Sequence, residues 1–366
     1  MSNTFHKLLK ERVARGSWRD KERPVLINNW EATYFYFNEE KLVEIAKAAA
    51  PLGFELFVLD DGWFGHRNGD NSSLGDWFVD KNKLPNGLKG LSDKIKQEGM
   101  KLGLWFEPEM ISEDSELFRA HPNWVLGVDN RNLSLGRNQY VLDLSRKEVR
   151  DYIIEIVSER LTEGNISYVK WDMNRNMTEI PQKDTAHKYI LGLYEILEEI
   201  TKRFPHVLFE SCASGGGRFD TGMLYYMPQT WASDNTDACE RLKIQYGTSI
   251  VYPISSIGAH VSDVPNHQTA RITSLDMRNK VAFFGSFGYE LDITKFSEEM
   301  KVEVKKNIEF YKENRKHVLK VVGYHSFSRY SGRYDNAIVD DMAQDVWTKV
   351  WLNIDNLNES KYLKYY

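Results

Sequence analysis

The sequence predicts an α/β protein: a (β/α)8 TIM barrel with a short C-terminal extension. Three observations lead there. Short apolar runs alternate with helical patterns along most of the chain, which is the mark of parallel βαβ units. Eight of these runs qualify as sheet strands, enough to close a barrel. The turn after the first run reads Asn28-Asn29-Trp30-Glu31 and lacks the glycines that an open, nucleotide-binding sheet places there. A length of 366 residues suits one large barrel with trimmings.

Val25–Trp30 is the first run. Glu39–Ala50 predicts a helix that Pro51 stops, with Gly53 beyond it. Leu56–Asp60 is the second run, followed by a long loop and a helix over Ser92–Gly99. Leu102–Phe106 is the third. Val141–Leu144 is short and is read as an accessory strand outside the barrel count. Ser145 reads as the cap of a helix over Arg146–Glu163, with Glu148 completing a capping box. Ile166–Asp172 is the fourth strand, and Pro205 ends the helix His187–Phe204. Val207–Ser211, Thr230–Ser233, Ile250–Ser255 and Ala282–Phe287 supply strands five to eight. Glu298–Asn314 is a final amphipathic helix. Residues 1–23 thus form a lead-in and 24–322 the barrel. Residues 323–366 form a C-terminal extension, the remnant or start of a β-domain, with Thr348–Asn353 as a candidate strand.

Composition narrows the function classes. Hydrophobic residues are 42% and charged residues 28%, as in a soluble globular protein. A net charge of −5 gives no pull toward nucleic acid or an anionic membrane, so neither is expected as a partner. Two cysteines, Cys212 and Cys239, are too few for a disulfide scaffold and fit a reducing compartment. The stretch Met1–Asp20 lacks the apolar core of a secretory signal, and no apolar run reaches the roughly 18–20 residues a membrane span needs. The expected location is cytoplasmic. Aromatic residues at 13% fit a packed core, and they also fit rings stacked on sugar faces.

In such a barrel the chemistry sits at the C-terminal ends of the strands. Six consecutive strand ends are loaded with polar and aromatic groups. They carry Asn28, Asn29 and Trp30; Asp60, Asp61 and Trp63; Trp105, Glu107 and Glu109; Lys170, Asp172, Asn174 and Arg175; Glu210, Cys212 and Gly215–Arg218; Asp234, Asn235 and Asp237. One carboxylate after a strand usually caps a helix. Six loaded ends in a row point instead to a pocket for a polyhydroxylated ligand, which can satisfy many desolvated polar groups.

A metal hydrolase would show paired histidines. There is no HxH or HExxH, and His260 and His267 read as surface or core residues, so no metal is expected. Lys170 is a candidate Schiff-base lysine, but the carboxylates around it favour its charged form. The glycine turns or basic cluster that would hold phosphate near strands seven and eight are weak. Paired carboxylates with tryptophans suit glycoside hydrolysis, in which one carboxylate attacks the anomeric carbon and the other protonates the departing oxygen. Retention of configuration needs them about 5–5.5 Å apart, which strands four and six can provide.

At these residues the sequence resembles the family thirty-six α-galactosidases. The resemblance rests on Leu59-Asp60-Asp61-Gly62-Trp63-Phe64-Gly65, Leu104-Trp105-Phe106-Glu107-Pro108-Glu109-Met110, Lys170-Trp171-Asp172-Met173-Asn174-Arg175, Glu210 through Arg218, and Ser233-Asp234-Asn235-Thr236-Asp237. The five motifs run in the family's order from about Pro24 to Lys320. The resemblance implies a retaining α-galactosidase acting on galactose-containing oligosaccharides without a cofactor. It implies Asp172 as nucleophile and Asp234 as general acid and base. Asp60 and Asp61 would grip the galactose 4- and 6-hydroxyls. Lys170, Asn174 and Arg137 would position hydroxyls, Cys212 and Gly215 would face the 2-hydroxyl, and Trp30 and Trp105 would wall the pocket. Glu107 and Glu109 are expected to brace. Family members carry a large β-sandwich before the barrel and a smaller β-domain after it, and a homo-oligomer is a candidate assembly. The rival readings are an α-N-acetylgalactosaminidase, a catalytically silent galactose-binding barrel and a phosphate-handling aldolase built on Lys170. Cys212 argues against the first, and the intact pair of aspartates argues against the second.

Overall fold

Uninterrupted burial is what a parallel strand needs when helices cover one side and the barrel interior lies on the other. The chain supplies it. The computed structural model describes residues 2–318. The strands are β1 Leu26–Asn28, β2 Leu56–Leu59, β3 Lys101–Phe106, β4 Met110–Ile111, β5 Tyr140–Val141, β6 Tyr168–Trp171, β7 Leu208–Ser211, β8 Gln229–Trp231, β9 Ile257–Ser262 and β10 Ser286–Glu290. Every residue of β1, β2, β6, β7, β8, β9 and β10 is buried. Eight strands close into a barrel in the order β1-β10-β9-β8-β7-β6-β3-β2, with every neighbouring pair parallel. β4 and β5 pair antiparallel outside it, so the run at 141–144 is indeed accessory. The extension at 323–366, with Thr348–Asn353, lies outside the described residues.

The helices are α1 Ser2–Leu8, α2 Trp30–Thr33, α3 Glu39–Ala49, α4 Gly87–Gln97, α5 Glu116–Ala120, α6 Lys147–Glu163, α7 Thr185–Arg203, α8 Thr221–Tyr226, α9 Ala238–Ser249, α10 Leu275–Ala282 and α11 Glu298–Val318. α3 shows how the local rules act. Asn38 caps it by accepting from the Lys41 amide, and Leu42, Ile45, Ala46 and Ala49 turn one face inward. Pro51 then sits in a tight turn, and Gly53 takes the left-handed φ of +100° that ends the segment. Full burial of Leu42 and Ile45 contributes roughly 1.5–3 kcal/mol each.

Below the barrel, the Trp18 indole donates to the His206 carbonyl and packs on the interior cluster of Leu26, Leu56, Val58, Tyr168 and Leu208. The N-terminal segment thereby seals the end of the barrel opposite the strand C-termini.

Four sequence expectations need correction. The seventh strand is not at 250–255 but at Ile257–Ser262. The amides of Ile250, Val251 and Tyr252 bond back onto the end of α9 and Ile254–Ser256 form a short 3-10 helix, while Gly258 and Ala259 thin the apolar signal of the real strand. The eighth strand is Ser286–Glu290 rather than 282–287. Phe283 and Phe284, which read as β-formers, sit in the turn after α10, where Phe283 stacks against Tyr311. Ser145 does not cap the following helix. Its hydroxyl donates to Asp143 Oδ1 at 2.6 Å, and α6 starts at Lys147 with no side-chain cap. Finally, α4 begins at Gly87, five residues before the expected start at Ser92.

Candidate active site

Strand alternation puts Lys170 and Asp172, two residues apart at the end of β6, on the same inward side. Asp172 sits just past the strand, its amide bonded to the Phe106 carbonyl at 2.7 Å. Three donors converge on its carboxylate. The Trp105 indole reaches Oδ2 at 3.2 Å, Asn174 Nδ2 reaches Oδ2 at 2.7 Å, and the Met173 amide reaches Oδ1 at 2.9 Å. The side chain is held from both flanks and is only 6% exposed.

Lys170 Nζ lies 2.9 Å from Asp60 Oδ2, at the end of β2, and that oxygen also accepts from Asn28 Nδ2 at 2.6 Å. Burial pulls the lysine pKa down, but Asp60, Glu290 and Asp172 outweigh it and hold the value well above the ordinary one. An ammonium held in its charged form is a poor amine nucleophile, which argues against the aldolase reading. Asp61 is no helix cap. Arg67 grips both its oxygens, at 2.6 and 2.8 Å, although burial still raises the carboxyl pKa more than Arg67 lowers it.

The two glutamates of β3's end stand behind the aspartates. Glu109, fully buried, takes both terminal nitrogens of Arg218, the Trp171 indole and the Tyr189 hydroxyl. Burial alone would raise it, but Arg218 and these donors bring it below the usual carboxylate value. Glu107 accepts from the Asn174 amide and, at 3.4 Å, from Gln139. Burial and then the charge of Asp172 push it up to about 8.

Asp234 stands differently. It lies three residues beyond β8 with its side chain open to solvent at the mouth. Its Oδ1 accepts from the Trp231 indole at 3.0 Å, and its backbone carbonyl accepts from Gln268 Nε2 at 2.9 Å. The protein surrounds it on the inner side, so burial raises its pKa. Lys170 opposes this, and Asp172 and Glu290 add to it. A carboxyl biased toward its protonated form and reachable by solvent has what a general acid needs.

The remaining predicted residues fall around this pair. Cys212 is buried one residue beyond β7, its amide on the Trp171 carbonyl at 2.7 Å, and burial followed by Asp172's charge raises the thiol pKa well above its ordinary value. Gly215 adopts φ +86°, and a β-carbon there would lie 2.6 Å from Ser233 Cα and 2.9 Å from the Asp234 nitrogen. A side chain would therefore collide with the backbone that carries Asp234. Asn174 spends its oxygen on Ser214 and its amide nitrogen on Asp172. Arg137 is exposed at the rim, 3.4 Å from the Ser214 hydroxyl. Trp105 is buried beside Asp172, whereas Trp30 is half-buried and edge-on to Tyr34 and Phe35.

Several residues at the mouth escaped the sequence reading. Glu290 ends β10 and holds His260 Nδ1 at 3.0 Å, and ending the last strand at 287 leaves Glu290 outside it. Glu31 accepts from the Thr236 hydroxyl and pairs with His267 at 3.1 Å. Trp231 was hidden inside a strand. A count of alternating positions from Gln229 turns it inward, beside Asp234. Both histidines are thus partnered by glutamates, and among the described residues no group of three or more His, Cys, Asp or Glu could hold a metal ion. No helix among the described residues is long and apolar enough to cross a membrane.

Comparison with known proteins adds an independent line. A family model described as Melibiase matches residues 1–321. Alpha-galactosidase AgaA from Geobacillus stearothermophilus is 61% identical over 340 residues, covering 91% of this chain and 47% of the relative. Alpha-galactosidase Mel36A from Lactobacillus acidophilus is 54% identical over 323 residues, covering 86% and 44%. Among solved structures, a variant of the Geobacillus stearothermophilus AgaA in complex with raffinose superposes with a TM-score of 0.87 at 61% identity, covering 88% of this chain and 46% of that one. The chain spans about half the length of the curated relatives it matches.

Proposed function

We propose that this chain, which belongs to the Melibiase family, removes terminal α-linked galactose from galacto-oligosaccharides or other α-galactosides with retention of configuration. One observation carries the reading. Two aspartates from the ends of β6 and β8 meet at one barrel mouth, one fixed by three donors and the other solvent-facing with a raised pKa. Their environments differ as those of a nucleophile and an acid should.

In the first step Asp172 forms a bond to C1 while the C1–O bond to the leaving group breaks. The Asp234 proton passes to the departing oxygen, so an alcohol leaves and a galactosyl ester remains. In the second step Asp234 takes a proton from water, the hydroxyl oxygen bonds to C1, and Asp172 is released. Water enters only in the second step, where it supplies the hydroxyl and restores the Asp234 proton, and the proposal calls for no metal or organic cofactor.

The other residues take supporting roles in the proposal. Asp60, Asp61 and Lys170 form one charged ledge suited to the 4- and 6-hydroxyls. Trp30 and Trp105 give apolar walls, and Asn174 and Arg137 flank the rim. Cys212 and Gly215 crowd the side assigned to the 2-hydroxyl, which disfavours an N-acetyl group and hence the α-N-acetylgalactosaminidase reading. The proposal extends to a cytoplasmic location, in keeping with two free cysteines, and to a homo-oligomer. Raffinose and stachyose, held by solved relatives, are the first substrates to try.

Asp172→Ala tests the reading. Turnover of an aryl α-galactoside should fall by roughly 10⁴-fold or more, and azide should restore part of it as the β-galactosyl azide. Turnover at the normal rate would sink the assignment. Galactose binding without any turnover by the unaltered protein would favour the silent barrel.

A further inference from the structure

Asp234 has no strand to hold it. It sits on a loop, faces solvent, and among the described residues its carboxylate receives one hydrogen bond, from the Trp231 indole at 3.0 Å. That indole is itself clamped. Trp231 is 2% exposed, the His260 ring packs on it at 4.4 Å between centroids, and the Arg241 guanidinium lies 4.1 Å from its centroid. Arg241, 1% exposed, also donates to the carbonyls of Ser233 at 2.7 Å, Asn235 at 2.9 Å and Gly258 at 3.0 Å. It therefore ties both residues flanking Asp234 to β9. His260 is fixed in turn by Glu290.

We propose that Trp231 is a positioning residue for the acid/base step: its indole N–H aims one oxygen of Asp234, and Arg241 and His260 lock the indole and the loop in place. The proposal rests on Asp234 being the general acid. A carboxyl on an exposed loop would otherwise sample many rotamers, and only a few point a proton at the glycosidic oxygen. Charged and titratable groups face Asp234 from all sides: Lys170 and Asp172 from β6, Cys212 beyond β7, Arg241 from α9, Glu290 from β10 and His267 from the loop after β9. Trp231 is the neutral donor among them, so its removal changes aim without changing net charge.

Trp231→Phe keeps a ring for His260 and Arg241 and deletes the N–H. The kcat/KM for raffinose, whose leaving group needs protonation, should fall about 10-fold, a part of the 10²–10⁴ that a general acid supplies. The kcat/KM for 2,4-dinitrophenyl α-galactoside should change less than about 2-fold, because that leaving group needs no proton. The N–H stabilises the ionised carboxylate, so its loss should also move the basic limb of the kcat/KM profile to higher pH. An unmoved basic limb, with equal losses on both substrates, would overturn the proposal. Asp234→Ala separates this failure from that of the underlying reading. If Asp234→Ala discriminates between the two substrates while Trp231→Phe does not, only the positioning role falls. If Asp234→Ala itself fails to discriminate, the acid assignment falls with it. Should Trp231→Phe not fold, Arg241→Lys, which keeps the charge but loosens the clasp, must show the same selective loss on raffinose or the inference fails.

Discussion

The wall that carries Asp172 and the loop that carries Asp234 use the same side chain in contrasting ways. On the wall, β3 and β6 are paired in register, and Asp172 continues that order through its amide bond to Phe106 and three donors on its carboxylate. Behind it, Glu109, Arg218, Tyr189 and Trp171 form a sealed polar brace. On the loop, Asp234 has one indole, solvent in front and a raised pKa from burial behind. A nucleophile must stay put and reach one carbon, so rigid strands suit it. A general acid must exchange protons with water in every cycle, so it belongs where solvent reaches it.

If that contrast is right, damage to the wall should cost stability first and damage to the loop should cost selectivity first. The largest effect is expected from Arg218→Met. It leaves Glu109 charged, buried and without its partner, a loss of about 3–5 kcal/mol that urea unfolding would register. Unchanged stability would mean that the brace is not what holds the wall.

Gly215→Ala probes the loop. Its β-carbon would press on Ser233 and Asp234 from a left-handed backbone, a strain of about 1–3 kcal/mol. Activity on raffinose should fall more than activity on an activated aryl galactoside. A uniform loss would show that the backbone contact is structural only.

The last effect is read only as a pH dependence and concerns Glu107, whose pKa is raised in the folded chain to about 8 from an ordinary 4.5. The folded state therefore holds this proton more tightly than the unfolded one. The resulting stability is fully present below about pH 4.5 and is lost as pH rises through 8. Glu107→Gln should flatten the decline of melting temperature across that window. A decline as steep as in the unaltered protein would place the titration elsewhere.

The balance between sequence and structure can be read from particular elements. Strands β2, β3 and β6 are plain in the sequence because buried parallel strands are short apolar runs, with Asp60 and Asp172 directly after β2 and β6 and Trp105 inside β3 near its end. The last two strands were misplaced because glycine and alanine thin β9 while Phe283 and Phe284 thicken a turn. Glu290 falls outside the expected strand for that reason, whereas Trp231 lies inside a run expected to begin at Thr230 rather than at Gln229. Arg67 and Arg218 carry no sequence sign of their partners, since Arg67 meets Asp61 through the irregular path of the loop after β2 and Arg218 meets Glu109 across the loops after β7 and β3.

Alternation of apolar runs with helical patterns, a local property, determined by itself that this chain closes into a barrel and which carboxylates stand at the strand ends. Which of those carboxylates is pinned, which is left to titrate and what aims it were decided only in three dimensions. Those properties depend on donors, charges and solvent brought together from strands far apart in the chain, and proximity of that kind leaves no periodic trace in the sequence.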